Sequence, residues 1–135
     1  MKLLLDSHIF LALLDEGDVE LSSEMRYAIS SAITVVYLST ASLWEINIKF
    51  SAGRLRLRML PHEFPFACQI LGIKLLPIEP HHVLTDLSVG APTRDPFDRL
   101  LLAQAQCEQM QFVTIDRALT GHPLAWTVPD RDEDH

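Results

Sequence analysis

Asp6, Glu45, Asp98 and Asp116 stand far apart in the chain, yet each closes or follows an apolar run or opens a helical pattern. Asp6 ends Leu3-Leu4-Leu5-Asp6, and Glu45 comes shortly after Val35-Val36-Tyr37-Leu38. Asp98 lies in Asp95-Pro96-Phe97-Asp98 at the head of a long helical stretch, and Asp116 closes Phe112-Val113-Thr114-Ile115-Asp116. In a parallel α/β sheet the carboxyl ends of the central strands open into one crevice, so acids leaving different segments converge there. Carboxylates gathered that closely repel unless a divalent cation neutralises them. With oxygen donors only and no His-Cys constellation, Mg²⁺ or Mn²⁺ is expected rather than Zn²⁺. The natural substrate of such a centre is a phosphodiester.

The elements that must position these acids read as an alternation of short strands and helices, the rhythm of a parallel sheet covered on both faces. The expected strands are Lys2 to Leu5, Thr34 to Leu38, Lys74 to Ile78 and Phe112 to Ile115, with Leu124 to Val128 as a short edge strand. Helices are expected after Asp6, from Ser22 to about Ala32, and after Ser39 or Thr40 up to Gly53. Others are expected from about His62 to Leu71 (stopped by Gly72), from Pro80 to about Leu87, and from Pro96 to about Met110. Asp95 is a good N-cap and Pro96 suits the first helical position. Arg54-Leu55-Arg56-Leu57-Arg58 alternates strictly and reads as an extended piece with three Arg on one side.

A chain of 135 residues with 48% hydrophobic content suits one globular domain. That domain is expected over 1–129, with the charged tail at 130–135 disordered. The formal net charge of -7 argues against nucleic-acid binding through bulk charge, so any such binding needs a local basic patch or a metal. Cys68 and Cys107 form no paired motif and read as small buried hydrophobes in a reducing, cytoplasmic setting. The apolar start is interrupted by Asp6 and His8, which speaks against a signal peptide. No run approaches the roughly 20 apolar residues of a membrane helix.

Taken together, the motifs resemble the PIN-domain ribonucleases, and most closely the toxins of VapBC-type toxin–antitoxin systems. The resemblance rests on Leu4-Leu5-Asp6-Ser7-His8, Ser42-Leu43-Trp44-Glu45-Ile46 with Lys49 and Gly53-Arg54-Leu55, Asp95-Pro96-Phe97-Asp98-Arg99 followed by Ala103-Gln104-Ala105, and Val113-Thr114-Ile115-Asp116. It implies a three-layer α/β/α sandwich with a central, mostly parallel sheet. It also implies a metal-dependent endoribonuclease, usually a homodimer, restrained by a small VapB-like antitoxin. Carried over residue by residue, it makes Asp6, Glu45, Asp98 and Asp116 the catalytic acids, with Asp6, Asp98 and Asp116 on Mg²⁺ or Mn²⁺. Asp95, Ser7 and Thr114 would support them. Relatives with this Asp-Pro-Phe-Asp-Arg block often carry a His two residues before its first Asp. Thr93 stands there in this chain, which removes that His from the inference but leaves the metal site.

Each acid also has a structural alternative. Asp6 can cap the first helix, and Glu45 can close a Ser42-x-x-Glu45 capping box. Asp98 can be a first-turn acid favoured by the helix dipole, and Asp116 can cap a final short helix. Capping alone predicts no convergence, whereas a metal centre requires it. Lys49, Arg54, Arg56 and Arg99 are the candidate contacts to an RNA backbone, against a solvated face or, for Arg99, a salt bridge. His8 reads as a solvated or core-edge side chain. His81 and His82 are adjacent and do not share a helix face, which argues against a His-Glu-x-x-His zinc site. Trp44, Phe64, Phe66 and Ile70 are expected in the core, with a groove for an antitoxin segment or a dimer partner as the alternative for the last three. A non-catalytic RNA-binding or scaffolding domain would show a lost acid, and none is missing. A receiver or Asp-x-Asp phosphatase would want acids where Ser7 and His8 stand.

Overall fold

The computed structural model describes residues 1–129; the expected disordered tail at 130–135 lies outside the described residues. In chain order the elements are β1 (Lys2–Leu5), α1 (Ser7–Leu13), α2 (Ser23–Ser30), β2 (Val35–Ser39) and α3 (Thr40–Ser51). A single 3₁₀ turn (Pro61–Glu63) then leads into α4 (Phe64–Leu71), β3 (Lys74–Leu76), α5 (Pro80–Leu84), α6 (Pro96–Glu108) and β4 (Gln111–Val113). Polar caps set the helix starts. Ser22 accepts from the Met25 N–H at 3.2 Å, Ser39 from Ala41 at 3.0 Å and Asp95 from Phe97 at 2.9 Å. Gly72, at φ 72°, ends α4 in the left-handed region that glycine occupies without strain.

The four strands pair in the order β3-β2-β1-β4, all parallel. β1 is central, and its side chains alternate between two layers. Leu3 and Leu5 pack with Ile9, Phe10, Met25 and Phe64 on the α1, α2 and α4 side. Leu4 packs with Leu101, Leu102, Ala105 and Phe112 on the α6 side. Helices on both faces of a parallel sheet give the three-layer α/β/α sandwich that the sequence leads one to expect. The chain extends the sheet from β1 through β2 to β3 on one side, then crosses back to add β4 on the other. The direction of winding therefore reverses between β1 and β4, the position at which open α/β sheets generally bind ligands.

Several boundaries and placements differ from expectation. β3 stops at Leu76 because Pro77 cannot donate to a ladder. α6 stops at Glu108, where Gln109 turns left-handed at φ 57°. Leu124–Val128 is not a strand. One bridge pairs Ala125 with Phe112, and the run is bracketed by Pro123 and Pro129. No helix follows Asp116 among the described residues, only turns. Arg54 to Arg58 joins no strand and bends at both ends, its Arg exposed and its Leu half-buried. Cys68 is buried and its thiol is pushed up to about 11 by that burial; Cys107 is only half-buried, and both are free. Among the described residues, no helix is long and apolar enough to cross a membrane.

The aromatic residues expected in the core divide sharply. Phe64 is fully buried and meets Phe10 edge-on at 5.5 Å, whereas Phe66 and Ile70 on the same helix are 64% and 68% exposed. An eight-residue helix lying on one face of a sheet offers only one stripe to the core. Phe64→Ala should therefore cost about 3–5 kcal/mol in chemical denaturation. Phe66→Ala should change stability by less than about 0.5 kcal/mol; equal losses at the two positions would contradict this packing.

Candidate metal centre

Asp6 leaves the carboxyl end of β1, and Thr114 and Asp116 follow β4, its neighbour across the switch in winding. The backbone fixes this registry, since Asp6 N–H donates to Val113 O at 2.9 Å. Asp6 is 5% exposed, with one donor on each oxygen: Oδ1 accepts from the Ser7 N–H at 2.7 Å and Oδ2 from the Thr114 hydroxyl at 2.7 Å. Thr114 in turn accepts from the Asp116 N–H at 3.1 Å. Asp116 is exposed at the rim, and its Oδ1 accepts from the Ala118 N–H at 3.0 Å.

Glu45 enters from α3. Because Ser39 is the N-cap, Ser42 falls inside the first turn and no Ser42–Glu45 capping box forms. Glu45 instead accepts from the Ser7 hydroxyl at 2.6 Å through Oε1 and faces Lys49 Nζ at 3.5 Å through Oε2. Ser7 thus links two acids, its amide on Asp6 and its hydroxyl on Glu45. Asp98 comes from the first turn of α6, behind the Asp95 cap. Thr93 accepts from the Asp95 N–H at 3.2 Å and shapes the approach to that helix.

Asp98 shows that these segments converge. Its carboxyl is pushed up to about 7, first by burial and then by the charges of Asp95, Asp6, Asp116 and Glu45. All the other acids of the set therefore act on it. Among the described residues, no hydrogen-bond donor or ion-pair partner offsets that charge (the partners of Asp6, Glu45 and Asp116 are given above). Asp6 is also raised, by burial against the lowering effect of its Thr114 and Ser7 hydrogen bonds. This is a cluster with more negative charge than its own donors compensate. Its all-oxygen donor set fits a hard divalent cation.

Of the candidate cations, Lys49 lies beside Glu45. Arg99 is exposed next to Asp98 and makes no ion pair among the described residues. Arg54 and Arg56 are not brought to the acids. With Arg58 they line an opening of about 600 Å³ against Asp15, Glu16 and Asp18, past the end of α1 opposite Asp6. Sequence reasoning missed Glu16, which is buried there. It accepts from the Arg58 and Met59 N–H groups at 3.0–3.2 Å, and the Arg58 guanidinium donates to Asp15 O. His8 is exposed, as expected of a solvated side chain.

A second cluster also went unforeseen. Among the described residues, ligand atoms of His81, His82 and Glu108 all lie within 4.8 Å of one another, a spacing that no three of the acids above reach. Being adjacent did not keep the two His apart, because both reach one Glu108 oxygen, at 3.5 and 3.1 Å. The hydrogen bonds of His82 argue against ligation. Its Nδ1 accepts from the Glu79 N–H at 2.9 Å, which assigns the ring proton to Nε2, facing Glu108. Binding a metal through Nε2 would require losing that proton while Nδ1 still faces a donor. The His82 bond is also the main reason Glu108 is lowered. The cluster ties α5 to the end of α6.

The chain matches the PIN domain model over residues 3–121 and belongs to that family. No curated protein matches its sequence. Among solved structures, its fold is similar to that of a chain in a toxin-antitoxin complex from Klebsiella pneumoniae. The TM-score is 0.60 at 14% identity, covering 94% of this chain and 98% of that one. At that identity the likeness is one of fold. The family resemblance drawn from the motifs is borne out.

The Asp98 shift has a measurable sign. A carboxyl raised in the fold from 3.8 to about 7 binds its proton more tightly there than in the unfolded chain. Its stabilising effect is complete below about pH 4 and is lost as pH rises toward about 7. In chelator, Asp98→Asn should therefore melt above the parent at pH 8, with the difference vanishing below about pH 4. A variant less stable than the parent at pH 8 would contradict the crowding of charge at Asp98.

Proposed function

We propose that this chain is a metal-dependent endoribonuclease and the toxin of a toxin–antitoxin pair. It would hydrolyse cytoplasmic RNA to 5′-phosphate and 3′-hydroxyl ends. The arrangement that carries this reading ties Asp6 to Thr114 and, through Ser7, to Glu45 by hydrogen bonds, with Asp98 beside them, raised first by burial and then by the surrounding carboxylates. PIN domains are generally nucleases, and that membership supports the reading.

Asp6, Asp98 and Asp116 would hold Mg²⁺ or Mn²⁺. When bound, the cation supplies the positive charge that offsets carboxylate repulsion and the Lewis acidity that makes hydroxide available near neutral pH. The chain's own groups do the rest. Thr114 and the Ser7 amide fix the Asp6 carboxylate, so its lone pairs point in one direction. Ser7 and Lys49 hold Glu45, which would orient the attacking water or ligate the cation itself. Asp95 caps α6 and so sets where Asp98 projects. Arg99 would contact a phosphate beside the scissile bond, while Arg54 and Arg56 would contact RNA away from it.

The partner reading rests on the fold likeness to a chain of a toxin-antitoxin complex. It proposes a VapB-like antitoxin and a homodimer. Asp6→Asn and Asp98→Asn should each abolish cleavage of single-stranded RNA, and EDTA should do the same, with Mn²⁺ restoring activity in the parent. Cleavage by the Asn variants at the parent rate would overturn the reading. Thr114→Val should keep the fold and weaken Mn²⁺ binding about 10–100-fold; unchanged Mn²⁺ affinity would free Asp6 from its dependence on Thr114.

A further inference from the structure

Trp44, expected in the core, is 61% exposed, whereas the other tryptophan, Trp126, is 8% exposed. A tryptophan held this far out is unusual, because exposing its ring forfeits a large apolar burial. The ring is not loose. It meets Phe97 at 5.5 Å between centroids with the planes at 65°, an edge-on contact. Phe97 is itself half-buried against the α6 side of the core. The pair bridges α3 and α6 and holds an indole face to solvent with little ordering left to lose.

Its place in the chain matters more. Trp44 precedes Glu45, and Phe97 precedes Asp98, two acids that interact within the cluster. The aromatic pair therefore stands at the rim of the metal centre, where α3 and α6 present those carboxylates. An apolar protein side chain packed over this rim would carry Glu45 and Asp98 further out of water without compensating their charge. A nucleotide does not impose that cost: its base covers the ring while its phosphate stays at the wet edge. Arg99, two residues after Phe97, is exposed and without an ion pair among the described residues, and is available for the adjoining phosphate. Every base has a π-face, so stacking on an exposed tryptophan suits a single strand irrespective of sequence.

We propose that the exposed face of Trp44, braced by Phe97, stacks an unpaired base of single-stranded RNA beside the phosphodiester that is cut. This deepens the nuclease reading and rests on it for the neighbouring phosphate. A base within a duplex is covered on both faces by its neighbours and is not free to stack.

The test is a titration of the full chain with a short, unstructured oligoriboadenylate in EDTA at low salt, read by tryptophan fluorescence. Adenine stacking should quench the parent's emission, and Trp44→Leu should lose both the quenching and about 5- to 100-fold in affinity. Trp44→Phe, which keeps a ring, should recover most of the affinity, which separates stacking from a fold defect. A Leu variant binding as well as the parent would overturn the proposal. So would a perfect duplex competing as strongly as the single strand, or a parent dimer that becomes monomeric on Trp44→Leu. The last result would make Trp44 a contact between copies. Binding is read without metal, so a parent that stacks RNA but never cleaves it would sink the nuclease reading alone.

Discussion

Asp98 carries a charge that the fold itself does nothing to neutralise. Burial first, and then the charges of four other carboxylates, hold its carboxyl up to about 7. Proteins do not crowd unpaired carboxylates at strand ends for stability, since each adds repulsion and desolvation. The surrounding structure can be understood as what is needed to hold that repulsion in place. β1 is the buried central strand and delivers Asp6, β4 is registered against it by the Asp6–Val113 bond, and two capped helices bring Glu45 and Asp98 from the other side.

Rigidity in this centre comes from hydroxyls and amides more than from ion pairs. Thr114 and Ser7 donate to Asp6 and Glu45 at 2.6–2.7 Å. Lys49 is 38% exposed, so screening weakens its attraction to Glu45. The distribution of donors also separates the acids by role. Asp6 and Glu45 are aimed by fixed partners, Asp116 is tied to the turn that follows it, and Asp98 has no hydrogen-bond donor or ion-pair partner among the described residues. The polar bonds of the His81, His82 and Glu108 cluster, by contrast, are already spent within the protein.

Much of this was legible in the sequence, for identifiable reasons. The apolar runs ending in Asp6 and Asp116 marked strand exits, and Asp95-Pro96 marked a helix start, because caps and proline act locally. Parallel topology then made convergence of the acids an expectation. What stayed hidden depends on which face a helix buries and on rotamers. Trp44 lies on a short amphipathic stretch whose apolar residues outnumber the places its core face offers, so composition alone put it inside. Phe66 and Ile70 failed in the same way. Arg54 and Arg56 follow Glu45 closely in sequence, yet α3 carries the chain away from the centre before they appear. The meeting of His81 and His82 on one Glu108 oxygen needs coordinates, since periodicity speaks only of helix faces.

The central claim is that carboxylates from four separate segments form one cation site. Paramagnetic broadening by sub-stoichiometric Mn²⁺ in an amide NMR spectrum tests it most directly. Signals of Ser7, Glu45, Asp98 and Asp116 should fade together and first, and the same titration of Asp98→Asn should leave them sharp. Broadening centred on His81, His82 and Glu108, or spread without focus over the acidic surface, would contradict the account.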